Sequence, residues 1–181
     1  MLFRSAPADG SAEPTNLTDT NDATDTYPAV SPDGRWLAWA AMKRPTYEAD
    51  KLTLMVRDLQ TGQVRALTDT WDRSVGSIAW SPDSKRILIT AQDTQENPIW
   101  SVDAVTGKAI RMTQAGNVTA VVPTAKGVLY AMNSLTAPDD FYMAAGKRTT
   151  RLTEVNAAKL AGVDMPSVTR FSFIGANNDT V

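Results

Sequence analysis

Two short polar stretches hold the residues best equipped for chemistry. The first, Arg44-Pro45-Thr46-Tyr47-Glu48-Ala49-Asp50, sets a guanidinium, a phenol and two carboxylates side by side. Carboxylates accept and a guanidinium donates charge-assisted hydrogen bonds, shorter and about twice as strong as neutral ones. The second stretch, Trp71-Asp72-Arg73-Ser74, offers Arg73 as a donor to a carbonyl. Each has a plainer reading. Glu48 and Asp50 can pair with Arg44 or Lys51 in a solvated hairpin, contributing about 0–1 kcal/mol. Trp71 can pack between sheets while Asp72 and Arg73 brace a crossover. Two absences matter as much: the 181 residues include no His and no Cys. That leaves no Ser-His-Asp triad, no imidazole base and no thiolate metal site. No residue is assigned as catalytic, and the chain alone is expected to hydrolyse nothing.

Charge balance narrows the partners. Lys and Arg number 18 against 20 Asp and Glu, a net charge of −2, whereas a nucleic-acid binder shows a basic face. With 43% hydrophobic and 21% charged residues the chain is a globular domain rather than a disordered one. No window approaches the roughly 18–20 apolar residues of a membrane helix. The sequence specifies neither compartment nor oligomeric state. Asn16-Leu17-Thr18 and Asn117-Val118-Thr119 match the glycosylation sequon, a pattern short enough to arise by chance.

The elements that must position these residues announce themselves by repetition. A Ser31-Pro32-Asp33-Gly34 turn recurs as Ser81-Pro82-Asp83-Ser84 and, weakly, as Pro123 to Gly127. Glycine turns follow at Gly62, Gly107 and Gly146, and an apolar-Thr pair closes each unit at Thr18, Thr68, Thr113 and Thr153. The closing threonines lie 50, 45 and 40 residues apart, so order is kept while loop length drifts. Such periods mark propeller or solenoid arrays. Each unit parses into four short strands. Trp36 to Met42 and Arg86 to Thr90 are apolar on both alternating faces, as in sheets covered above and below. A sandwich would alternate more cleanly.

The fold expected is therefore all-β, a partial β-propeller of about three and a half four-stranded antiparallel blades. Residues 1–153 form it: 1–18 the end of a preceding blade (strands Leu2 to Ala6 and Glu13 to Thr18), then blades 19–68, 69–113 and 114–153. Residues 154–181 read as a linker with a short helix over Glu154 to Leu160. A new strand, Arg170 to Ile174, and a turn at Gly175 to Asp179 complete the chain.

The Ser-Pro-Asp-Gly turns, with Asp25 to Trp39, Ala41 to Lys51, Trp71 to Ser84 and the exit Leu152 to Asp179, resemble the WD-like propeller of prolyl oligopeptidase family serine peptidases. The resemblance is to the bacterial dipeptidyl and acylaminoacyl peptidase branch. It implies a non-catalytic propeller that caps the active site and gates peptide substrates. It also implies an α/β-hydrolase domain of the same parent chain, which the exit strand feeds; this sequence has no Gly-x-Ser-x-Gly elbow from which catalytic residues can be carried over. Substrate-binding candidates are then Glu48 or Asp50 for a substrate ammonium, Tyr47 as an apolar wall, Arg44 for orientation and Arg73 for a substrate carbonyl. They belong to the face that collects Lys43 to Lys51, Asp69 to Ser74, Asp93 to Asn97 and Ser134 to Asp139, because loops on rigid scaffolds carry binding. The alternative is a stand-alone interaction propeller of the periplasmic translocation type. No cofactor or metal is expected, since no Glu/Asp/Asn set recurs at the blade period as a calcium-dependent propeller hydrolase would need.

Overall fold

A computed structural model describes residues 3–181; Leu2, read as the first residue of a strand, lies outside them. A two-stranded ribbon, β1 (Arg4–Ser5) with β2 (Thr15–Asn16), precedes three four-stranded antiparallel sheets. The first runs β3 (Asp25–Val30), β4 (Trp36–Ala41), β5 (Thr53–Asp58), β6 (Val64–Ala66). The second holds β7 (Ser77–Trp80), β8 (Arg86–Thr90), β9 (Ile99–Asp103) and β10 (Ala109–Arg111). The third holds β11 (Asn117–Thr124), β12 (Gly127–Ser134), β13 (Ala137–Ala145) and β14 (Arg148–Arg151). Strands follow one another in chain order in every sheet, and first strands touch first strands of the next sheet: β3 meets β7, and β7 meets β11. This is the blade-by-blade stacking of a propeller, left open as an arc.

Packing explains the strands that are apolar on both faces. In β4, Ala38 and Ala40 face the second sheet and share a core with Leu54, Val56, Val75, Ile87 and Ile89. The alternating Leu37, Trp39 and Ala41 face the other way, against Phe3, Leu17 and Met55. In β8, Ile87 and Ile89 point back to the first sheet while Leu88, with Ile99 of β9, joins Val118, Val128 and Tyr130 of the third. Each large side chain buried this way contributes about 1.5–3 kcal/mol. A sheet with one wet face has no use for such a strand. The middle sheet is covered twice.

The repeated landmarks are repeated hydrogen bonds. The closing threonine accepts the N–H of a residue at or just before the third strand in every unit: Leu54 to Thr68 at 2.8 Å, Ile99 to Thr113 at 2.9 Å, Phe141 to Thr153 at 2.9 Å and Phe3 to Thr18 at 3.2 Å. The apolar residue before each threonine donates its own N–H to the carbonyl of the same partner, as Leu67 does to Leu54 at 2.8 Å. At the Ser-Pro-Asp turns, Ser31 and Ser81 donate to Asp33 and Asp83, which in turn accept the N–H groups of Arg35 and Lys85. The fourth turn position needs a left-handed backbone: Gly34 takes it at φ +70° and Ser84 at φ +57°. Serine tolerates this poorly, but its Oγ accepts the Asp33 N–H at 3.1 Å and so ties the second sheet's turn to the first's.

In the third sheet the clamp acquires a carboxylate. Asp140, buried, accepts from Arg151, from the Thr153 hydroxyl at 2.7 Å and from the Val155 N–H at 3.0 Å. Arg151 first, then Thr153 and Val155, hold its carboxyl down at about 2. A depressed folded-state value gives stability that is present above the ordinary carboxylate range and is lost as pH falls from about 4 towards 2. Asp140→Asn is expected to remove that part of the acid sensitivity. Melting temperature followed from pH 7 to pH 2 checks it: the wild-type curve steepens below about pH 4 and the variant's less so.

Two stretches differ from expectation. Ser134 to Asp139, read as a long polar loop, is a tight hairpin in which Ser134 pairs with Ala137 and β13 begins there. Arg170 to Ile174, read as a strand, forms no ladder; only Ile174 bridges Thr180, and Phe173 exchanges backbone bonds with Val181. An apolar run becomes a strand only where a partner edge meets it. The short helix, α1 (Ala157–Leu160), lies within the predicted span. Among the described residues no helix is long and apolar enough to cross a membrane.

Candidate functional site

The expected binding face is assembled by long side chains that stitch loop to loop. In the β4–β5 loop, Arg44 clamps Asp50 through Nε and Nη2, at 3.0 and 2.8 Å from Oδ1. Asp50 Oδ2 takes the N–H groups of Lys43 and Arg44, both at 2.9 Å. These bonds, the Arg44 side chain foremost, hold the Asp50 carboxyl well below the usual range. The Arg44 guanidinium also stacks over Tyr47, 3.9 Å from its ring centre. Arg44, Tyr47 and Asp50 are thus one unit, with Asp50 fully engaged by its own loop. Glu48 is exposed and, among the described residues, makes no ion pair.

Two lysines carry this loop onto the next crossover. Lys43 Nζ pairs with Asp69 Oδ1 at 2.5 Å, while Lys51 Nζ donates to the Asp69 and Trp71 carbonyls at 2.7 and 2.6 Å. There Arg73 bridges Asp72 at 2.6 Å and Asp93 at 2.7 Å, with its guanidinium 5.6 Å from the Trp100 ring. Trp100 meets Trp71 edge to face at 5.1 Å. Asp93 also accepts from Arg111 at 2.7 Å, so two cations hold its carboxyl below the usual range, Arg73 foremost. Arg111 continues to Glu96 at 2.6 Å, and Glu96 also takes Arg170 of the exit segment. Charges alternate in sign along this whole line.

The structure therefore brings Arg44, Tyr47 and Asp50 together, keeps Glu48 on the same loop, and places Arg73 on the neighbouring crossover that Lys43 and Lys51 reach. Sequence reading put Asp93 and Glu96 on this face without singling them out, and missed Arg111 and Arg170. A signal for Arg111 existed: Arg111 and Arg151 each stand two residues before a closing threonine, and each donates Nε to that threonine's carbonyl, at 2.8 and 2.9 Å. Among the described residues no group of three or more carboxylates is placed to hold a metal ion.

Comparison with known proteins fits this architecture. No family model matches the chain. Over 128 residues, 70% of its length, it is 38% identical to dipeptidyl-peptidase 5 of Porphyromonas gingivalis, of which it covers 19%. The chain is a peptidase-family propeller segment. Acylaminoacyl peptidase of Pyrococcus horikoshii superimposes on 92% of this propeller with a TM-score of 0.76 at 15% identity, the match taking in 25% of that protein. TolB of Acinetobacter baumannii covers 85% of the propeller with a TM-score of 0.62 at 22% identity, the match being 38% of TolB. At such identities these two show the fold alone. The peptidase propeller spans less than a quarter of the length of the curated relatives it matches.

Proposed function

We propose that this chain is the non-catalytic propeller of a serine exopeptidase of dipeptidyl or acylaminoacyl type. In this reading it caps the active site of an α/β-hydrolase domain in the same parent chain and admits peptides while excluding folded proteins. The identity to a dipeptidyl-peptidase over 70% of the chain carries the reading. The loop face supports it, because charged residues there are fixed by one another on a rigid array and are pre-organised for a polar ligand.

Within that reading Glu48 is the acceptor for a substrate's free ammonium. Arg44, Tyr47 and Asp50 form the clamp that holds its loop, and Arg73 donates to a substrate carbonyl. Glu48→Ala in the intact protein is expected to lower kcat/KM for free-amino dipeptide substrates about tenfold, the loss of one charge-assisted bond. N-acylated analogues are expected to be unaffected. Equal rates for both substrate classes before and after the change would remove Glu48 from the site. A stand-alone interaction propeller is the second reading, favoured by the likeness to TolB; an intact protein without peptidase activity would point to it.

A further inference from the structure

The innermost strand of the first sheet contains a residue held where its type should not be. Tyr27 has φ +56°, in the left-handed region, although it sits inside β3 and precedes a proline. A residue before proline is driven to extended backbone, and a left-handed conformation costs a non-glycine residue roughly a kcal/mol or more. The register of β3 on β4 slips between Thr26 and Ala29, so Tyr27 and Pro28 form a bulge. Bulges re-aim side chains and are frequent beside functional sites. The usual reward for such a conformation would be burial of the ring. Here the residue is 46% exposed. The strain is spent on display.

What Tyr27 is displayed beside decides the reading. It lines a cavity of about 480 Å³ together with Arg73, Ser74, Gln92 and Asn97, all from the next blade or the crossover leading to it. Asn97 spends its Nδ2 on the Val118 carbonyl, and the Arg73 guanidinium is fixed from two sides by Asp72 and Asp93. The Arg73 Nε is buried with no acceptor, and the wall beside Tyr27 is made polar by Ser74, Gln92 and Asn97 with the Arg73 side chain. An aromatic residue lining one cavity with amides and an anchored cation suits one ligand class: an extended peptide whose carbonyls meet the polar groups while a side chain lies on the ring.

Resting on the peptidase-propeller reading, we infer that Tyr27 is a specificity-determining residue, its strained bulge presenting the ring to an apolar or aromatic side chain of peptides that Arg73 engages. The test is steady-state kinetics of the intact protein on peptides differing at one position (Gly, Leu or Phe), combined with thermal unfolding. Tyr27→Ala is expected to raise KM for the Phe peptide about tenfold at unchanged kcat and to leave the Gly peptide almost unaffected. Tyr27→Phe keeps the wild-type ranking. Tyr27→Gly behaves like Tyr27→Ala on peptides but melts higher than it, the reverse of the order in ordinary strands, because only glycine accepts this φ without strain. A KM ranking untouched by Tyr27→Ala overturns the inference while leaving the propeller reading intact, and so does Tyr27→Gly melting below Tyr27→Ala. A wild-type protein that turns over no peptide overturns both.

Discussion

Gly127→Ala is expected to destabilise the fold by about 3 kcal/mol, near the upper end for single substitutions. Gly127 opens β12 at φ +147°, and a Cβ there would stand 2.2 Å from the Ala144 carbonyl oxygen and 3.1 Å from its carbon. Both atoms belong to the backbone of the paired strand β13, so no side-chain rotation relieves the contact. Gly34→Ala is the control. It too has positive φ, +70°, but a Cβ there meets nothing within 4 Å, leaving only the conformational penalty of roughly 1–2 kcal/mol. Urea unfolding compares them: the Gly127→Ala midpoint should fall much further at unchanged slope. Equal losses at both positions would show that close approach of β12 and β13 is unimportant.

The second large effect is expected at the closing threonines. Thr68 and Leu54 are both fully buried, and the Leu54 N–H has the Thr68 hydroxyl as acceptor at 2.8 Å. Thr68→Val keeps the shape and strands that donor, for a cost of about 2 kcal/mol. Thr18→Val removes the same bond, longer at 3.2 Å, from the Phe3 N–H, which lies half-buried beside the edge ribbon, where water replaces the lost acceptor. Equilibrium unfolding of the two variants should therefore separate them clearly. Similar stabilities would mean that burial does not set the weight of this clamp.

These clamps also explain how much was legible beforehand. Turns and closing pairs are local devices whose residue types are dictated by backbone geometry, so Ser-Pro-Asp, Thr-Gly and Leu-Thr could be read directly and gave the blade order. The β12–β13 hairpin was misread because Ser134, Thr136, Pro138 and two aspartates look like loop chemistry, yet Ser134 pairs with Ala137 around a two-residue turn. Phe171 and Phe173 looked like a strand, but alternation of apolar residues says nothing about whether an edge is there to receive them. At the site, the pairing of Arg44 with Asp50 follows from their proximity in sequence and was foreseen as the plainer reading. In the Asp93–Arg111–Glu96–Arg170 line, Asp93 and Glu96 share one tight turn and meet Arg111 of the same sheet, but Arg170 comes from the distant exit segment, and Tyr27 precedes a proline, where extended backbone is the rule. Nothing local betrayed the place of Arg170 or the conformation of Tyr27.

One consequence of the clamps reaches past stability. Every unit fastens its third and fourth strands with its own threonine, while the polar ties from the first sheet to the second amount to a few bonds, such as Trp80 Nε1 to the Ala29 carbonyl and Arg65 to the Val105 carbonyl. Polar cohesion is thus stored inside each repeat, while its borders are joined mainly by the apolar core it shares with each neighbour, the condition under which repeats behave as nearest-neighbour cassettes. A gene carrying such cassettes can gain or shed one whole, in phase, without any survivor having to relearn its own fold.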